Sequence, residues 1–281
     1  MRTIHYFSPW LKRLVQYQKV WAQIESALTA ENEPYDFVPN AADIWVHDFM
    51  PFQRHDGDFV IYRYNPDYLQ GKDAKYIANC RDAFSAIGGS GIGASTICHQ
   101  TDLVIDGGNL IRCTDKYGAD CVIMTTKVLY ENPGLSHHEI LQQLGDLLGA
   151  EVILIPWDPQ EAYGHADGMV RSVGEGRILL NCYADMDPQL GEAIKKALEH
   201  RFELRELQYG GKHRDKSWCH LNYLELCHVV LVPVASIASD RMALEQIGGI
   251  IGKKCIPISM ASVVKQGGAM HCISWRMDTY C

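Results

Sequence analysis

Short apolar runs rich in valine, isoleucine and leucine recur along the 281-residue chain at 59–64, 103–105, 121–125, 152–156, 177–181, 229–233 and 254–258. Their length and β-branched content predict strands. Stretches of helical period alternate with them and predict helices over 10–28, 72–87, 137–148, 188–199 and 240–250. Ser136 with Glu139 forms a capping-box signature for the third of these, and Gly149 stops it. Strands alternating with helices predict an α/β protein.

Polar positions add a longer period. Asp48, Asp106, His165, Asn222 and Cys272 follow one another at intervals of 58, 59, 57 and 50 residues, near one fifth of the chain, about 56. The spacing predicts units strung as strand, strand, helix, strand, each offering one side chain to a shared centre. A five-fold pseudo-symmetric ring accomplishes this. An open doubly wound sheet explains the alternation as well but not the polar spacing.

Composition narrows the picture. With 47% hydrophobic residues the chain can fill one large core, so 1–281 is expected to be a single domain. No apolar run approaches the ~18 residues that span a bilayer, and the N-terminus lacks a secretory layout, so a soluble cytoplasmic protein with no membrane partner is expected. A net charge of −8 argues against a nucleic-acid partner and agrees with a small cationic substrate. Nothing indicates oligomeric state, and a homo-oligomer stays open. The ten cysteines show no C-x-x-C pair, and nine are expected to be reduced core thiols, with Cys272 set apart. A G-x-G-x-x-A match at Gly89, Gly91 and Ala94 has a helical pattern before it and no helix opening after it. It is expected to be a flexible connection and not a dinucleotide site, so no cofactor is expected.

Three short segments carry chemistry. In Gly164-His165-Ala166-Asp167-Gly168 a base and an acid two residues apart share one face of extended backbone, and the glycines permit tight turning and close approach. Gly267-Gly268-Ala269-Met270-His271-Cys272 places a thiol just after a glycine turn, at the start of an apolar stretch. Trp45-Val46-His47-Asp48 offers a planar cation a ring to stack on and a carboxylate to accept its N–H groups.

In this order the segments resemble the agmatine deiminase and peptidylarginine deiminase branch of the guanidine-modifying enzymes. The matching stretches are Trp45–Asp48 followed by Pro51, Asp106-Gly107-Gly108-Asn109, Glu161 with Gly164–Asp167, and Gln266–Cys272. The resemblance implies a five-bladed α/β propeller of ββαβ units, the pentein fold. It implies Cys272 as nucleophile and His165 as general acid and base, with Asp48 and Asp167 gripping the guanidinium. Trp45, Asp106, Glu161 and Asn222 complete the expected substrate site, with no metal. The chain departs from the pattern at His47, where the branch has arginine, at Asp106, where agmatine deiminases have glutamate, and at Gln266 and Ala269.

The expected reaction is metal-free conversion of a guanidine to a urea, with loss of ammonia through a covalent thiouronium. Agmatine is the first substrate to test. Arginine, peptidylarginine and methylarginine hydrolysis and amidinotransfer stay open within the superfamily. An arginine enzyme needs a cation for the α-carboxylate, and Arg54, Arg63 and Arg112 lie near the motifs. Outside the superfamily, a zinc hydrolase using His165, Asp167 and Cys272, or a non-catalytic guanidine binder, are the competing classes. Carboxylates beside Cys272 should raise its pKa in the empty enzyme, leaving His165 or the incoming cation to offset them.

Overall fold

The computed structural model describes residues 2–88, 96–158, 163–174, 176–211 and 216–279. The chain opens with β1 (Arg2–Phe7), helix α1 (Val15–Ala30) and β2 (Tyr35–Phe37), which returns parallel to β1. Four complete units follow, each with a short first strand antiparallel to a second, then a helix, then a third strand parallel to the second. They are β3 (Phe52–Gln53), β4 (Phe59–Arg63), α2 (Cys80–Ala86), β5 (Cys98–Val104); and β6 (Ile111–Thr114), β7 (Asp120–Thr125), α3 (His137–Leu148), β8 (Glu151–Ile155). The others are β9 (Val170–Ser172), β10 (Arg177–Leu180), α4 (Pro188–Leu198), β11 (Glu203–Glu206); and β12 (Leu224–Glu225), β13 (Val229–Val234), α5 (Asp240–Ile251), β14 (Lys254–Ser259). The C-terminal strand β15 (Ser274–Thr279) pairs antiparallel with β1 and completes the fifth sheet from both chain ends.

The middle strands are the apolar runs of the sequence, because both faces of each are covered. Ile123 of β7, Leu179 of β10 and Val230, Leu231 and Val232 of β13 are inaccessible to solvent. Each crossover helix buries one stripe on its sheet and on the neighbouring unit: Trp21, Ile24 and Leu28 of α1 join Leu231 and Ile258 in one cluster, and Ile194 and Leu198 of α4 join Ile123 and Ile155 in another. Ser136 and Glu139 form the capping box in full, and Gly149 takes the left-handed conformation at φ 60°.

Two expected helices are divided. The 10–28 pattern breaks at Leu14, which is extended at ψ 122° between Trp10–Arg13 and α1. The 72–87 pattern becomes a 3₁₀ segment, Gly71–Tyr76, and then α2, whose start is set by the Asn79 side chain accepting from the Asp82 N–H. Cys98 and Cys227 are exposed rather than core thiols. Cys98 opens β5, an edge strand whose first residues are exposed or half-buried, and Cys227 sits in the turn between β12 and β13. The Gly89, Gly91 and Ala94 motif lies outside the described residues.

The five polar markers each fall in the segment leading into a first strand: Asp48 before β3, Asp106 before β6, His165 before β9, Asn222 before β12 and Cys272 before β15. These segments meet at the centre with little clearance. A Cβ on Gly107 would stand 2.0 Å from the His47 carbonyl oxygen and 2.8 Å from the Tyr62 hydroxyl. Gly107→Ala is therefore expected to lower unfolding free energy by about 1–3 kcal/mol, the usual range for overpacking, as read from denaturant melts; an unchanged midpoint would show that the junction yields.

Candidate active site

His165 lies between two acids. Its Nε2 is 3.0 Å from Asp106 Oδ2 and its Nδ1 is 3.8 Å from Asp48 Oδ1. Gly108 allows this approach, since a Cβ there would be 2.4 Å from His165 Nδ1 and 2.9 Å from Asp48 Oδ1. The Gly108 N–H instead donates to Asp48 Oδ1 at 3.2 Å. Burial alone would lower the His165 pKa, but the charges of Asp48, Asp106 and Asp167 and the bond to Asp106 overcome it and raise it to about 10. The ring is accordingly held as an imidazolium. Asp48 is pushed up to about 8 by burial, with Asp106 and Asp167 adding repulsion against the pull of His165.

Asp167 is held differently. Burial works against its charge, but the bond from His271 Nδ1 at 2.8 Å and the influence of the His271, His165 and His47 rings hold its pKa well below the carboxylate range; the Asn222 side-chain amide also donates to its Oδ2 at 2.9 Å. His271 itself is lowered to about 4 by burial and by Arg171, so a neutral ring donates this bond. Asn222 also fixes the segment of Cys272, its Oδ1 accepting from the N–H groups of His271 and Cys272 at 3.0 and 3.3 Å. Cys272, 6% exposed, points Sγ at Asp167 Oδ2 from 3.5 Å. Burial, then Asp167 and Asp48, push the thiol pKa well above its usual value. Cys272 is thus held as a thiol, the electrostatic conflict expected from the sequence.

Cys272, His165 and Asp48 line one cavity of about 100 Å³ with Trp45, Tyr64, Tyr68, Tyr163 and Asp43. Trp45 lies against Gly268, where a Cβ would be 2.2 Å from its ring. Asp106, Asp167 and Asn222 stand behind this surface, as partners of His165 and Cys272. Glu161 lies outside the described residues. None of Arg54, Arg63 and Arg112 lines the cavity. Arg54 binds Asp56 and the Leu147 carbonyl, Arg63 is exposed, and Arg112 binds Asp278 on the far side of the centre.

Sequence reasoning passed over Tyr68, whose hydroxyl donates to Asp106 Oδ2 at 3.0 Å and lies 3.4 Å from His165 Nε2. Its turn is pinned by Lys127, 2% exposed, whose Nζ is 2.8 Å from Asp67 and 5.0 Å from the centre of the Tyr68 ring. No local pattern marks either residue. His271 stands inside the quoted motif beside Cys272 and was legible there as a partner for an acid.

Residues 2–277 match the model of the Porphyromonas-type peptidyl-arginine deiminase family. The chain belongs to this family. It adopts the pentein fold of its structural neighbours. A protein provisionally assigned as an agmatine deiminase superposes with a TM-score of 0.78 at 18% identity, covering 100% of this chain and 94% of that one. One provisionally assigned as an arginine deiminase, from Porphyromonas gingivalis, gives 0.77 at 19% identity over 98% and 94%. The agmatine deiminase of Enterococcus faecalis gives 0.69 at 19% identity over 98% and 92%. No curated protein matches the sequence. Family membership makes the chain an enzyme acting on guanidine C–N bonds.

Because Asp167 holds the Cys272 proton in place, Asp167→Asn should lower the thiol pKa and speed alkylation of Cys272 by iodoacetamide near neutral pH. One pKa unit corresponds to about tenfold in thiolate. Peptide mapping must separate Cys272 from the exposed Cys98 and Cys227. A rate unchanged or slowed in the variant would show that burial alone sets the pKa.

Proposed function

We propose that the protein hydrolyses the guanidine group of agmatine to the ureido group of N-carbamoylputrescine, releasing ammonia through a covalent thiouronium on Cys272. The observation that carries this reading is the charge of the cavity wall. Asp43 and Asp48 line it with three tyrosines and Trp45, and no lysine or arginine lines it among the described residues. A substrate cationic at both ends suits such a wall, whereas a free α-carboxylate would meet acids without a partner. Among the described residues no three His, Cys, Asp or Glu side chains are gathered so that they could hold a metal ion.

The chemistry follows from the charge states. The guanidinium stacks on Trp45 and pairs with Asp48, which fixes its plane and brings a positive charge beside the thiol, while Asp167, expected from the sequence to grip it as well, acts from behind the wall through Cys272. That charge favours loss of the Cys272 proton to solvent, and the sulfur then bonds to the central carbon. The imidazolium of His165 gives its proton to one departing nitrogen, the C–N bond breaks, and ammonia leaves a positively charged thiouronium. Neutral His165 takes a proton from water as its oxygen bonds to the same carbon. The C–S bond then breaks, returning the thiolate, and the O-protonated urea releases its last proton to the ammonia.

Asp106 and Tyr68 act on His165, keeping it charged and oriented, while Asn222 and His271 hold Asp167 ionised. The aromatic wall and Asp43 give the far end of the substrate its surroundings.

Ureido-product assays on agmatine, arginine, methylarginines and arginyl peptides test the substrate. Turnover of agmatine at least about tenfold above arginine in kcat/KM, a difference of about 1.4 kcal/mol, is expected. Preference for an arginyl peptide would overturn the assignment, and ammonia release persisting in Cys272→Ala would overturn the covalent step.

The pH profile is a separate check. Asp48, raised to about 8, must lose its proton to grip the cation, and His165, raised to about 10, must keep its own. In the free enzyme kcat/KM should therefore climb as pH rises through the first value and fall through the second. An optimum in the acid range would contradict this distribution of protons.

A further inference from the structure

The axis has a second mouth. On the side away from the catalytic cavity lies a cavity of about 380 Å³ walled by the first strands of all five sheets, from β3, β6, β9, β12 and β15. Arg112, Arg171 and Arg276 line it, and among the described residues Glu225 is the one carboxylate of the lining. Three guanidiniums in one recess are notable on a chain whose net charge is −8.

Two of the three are set in place by a single acid. Asp278 accepts from Arg112 Nη2 at 3.1 Å on Oδ2 and from Arg276 Nε at 2.8 Å on Oδ1. Arg112 is further fixed by the carbonyls of Gln53 and Arg54, both at 3.2 Å. Arg171 lies 4.8 Å from the centre of the Tyr223 ring and forms no ion pair among the described residues. Glu225 is already matched by Lys253 at 2.7 Å. Among the described residues four cations thus face two carboxylates, an excess of two positive charges. His47 and His271 also line the cavity, with ring centres 3.8 Å apart, and burial and Arg171 lower the pKa of both.

Fixed guanidiniums without enough acid to neutralise them are the arrangement that recognises oxyanions, since a planar donor fork meets carboxylate or phosphate oxygens without further ordering. The volume is that of a small-molecule site. We propose that this second mouth binds a small polyvalent oxyanion bearing carboxylate or phosphate groups, with Arg171 and Arg276 as its principal contacts. The site is independent of the substrate assignment, because its lining shares no residue with the cavity that holds Cys272. His271 nevertheless belongs to both regions, lining this cavity while its Nδ1 binds Asp167.

Calorimetric titration of the full chain with pyrophosphate and with citrate, at ionic strength held constant with KCl, tests the site. Saturable binding of at least one anion is expected, and the better of the two identifies phosphate or carboxylate as the preferred group. Arg171→Gln and Arg276→Gln should each weaken it by about tenfold or more, as loss of a charge-assisted contact does. Glu225→Gln should tighten it, a gain that damage to the fold cannot mimic, and Cys272→Ala should leave it unchanged. Absence of saturation by either anion up to about 10 mM, a binding free energy weaker than about 3 kcal/mol, would overturn the proposal. So would equal affinity in wild type, Arg171→Gln and Glu225→Gln.

Discussion

Everything at the catalytic mouth depends on placing three carboxylates and one imidazole where water cannot screen them. Asp48, Asp106 and Asp167 are all nearly inaccessible to solvent, and three buried like charges in such proximity are untenable without compensation. The molecule compensates each in its own way. Asp106 is paired with the His165 imidazolium, Asp167 with the N–H donors of His271 and Asn222, and Asp48 is left favouring its proton. Asp48 and Asp167 are therefore driven in opposite directions, one towards its proton and one away from it, although they share a residue type. The division of labour in the proposed reaction follows from that difference.

The same electrostatics explain why the nucleophile rests as a thiol. A thiolate would add another negative charge to a region already rich in acid, so Cys272 keeps its proton and directs it at Asp167. In the proposed reaction a guanidinium supplies what is missing, which ties activation of the sulfur to arrival of the cation. The opposite mouth shows the converse imbalance, with guanidiniums in excess, and the two regions touch through His271.

The repeat made much of this legible in advance. Middle strands such as β7 and β13 are buried on both faces, so their apolar runs stand out, and α3 carries its own start and stop signals in Ser136, Glu139 and Gly149. The short first strands did not stand out. β3 and β12 are two residues long, too brief for a period of two to register, although they are the elements that carry the site residues to the centre. Tyr68 and Lys127 were invisible for a related reason: neither lies in a motif, and their part is created by a turn folding over His165 from elsewhere in the sheet sequence.

What the sequence by itself determined is the periodic framework and the cast of reacting groups: an α/β chain of five units, with Asp48, Asp106, His165, Asn222 and Cys272 recurring in step, and a thiol, an imidazole and acids in a recognisable order. Those properties are local, residing in spacing, propensity and residue type. Tertiary structure alone decided which acid would be charged, that Asp106, Asp167 and Asn222 would stand behind the cavity wall, and that Arg112, Arg171 and Arg276 would gather at the opposite mouth. Proton affinity and charge clustering depend on burial and on neighbours brought from distant blades, and no stretch of chain carries that information before the ring closes through β1 and β15.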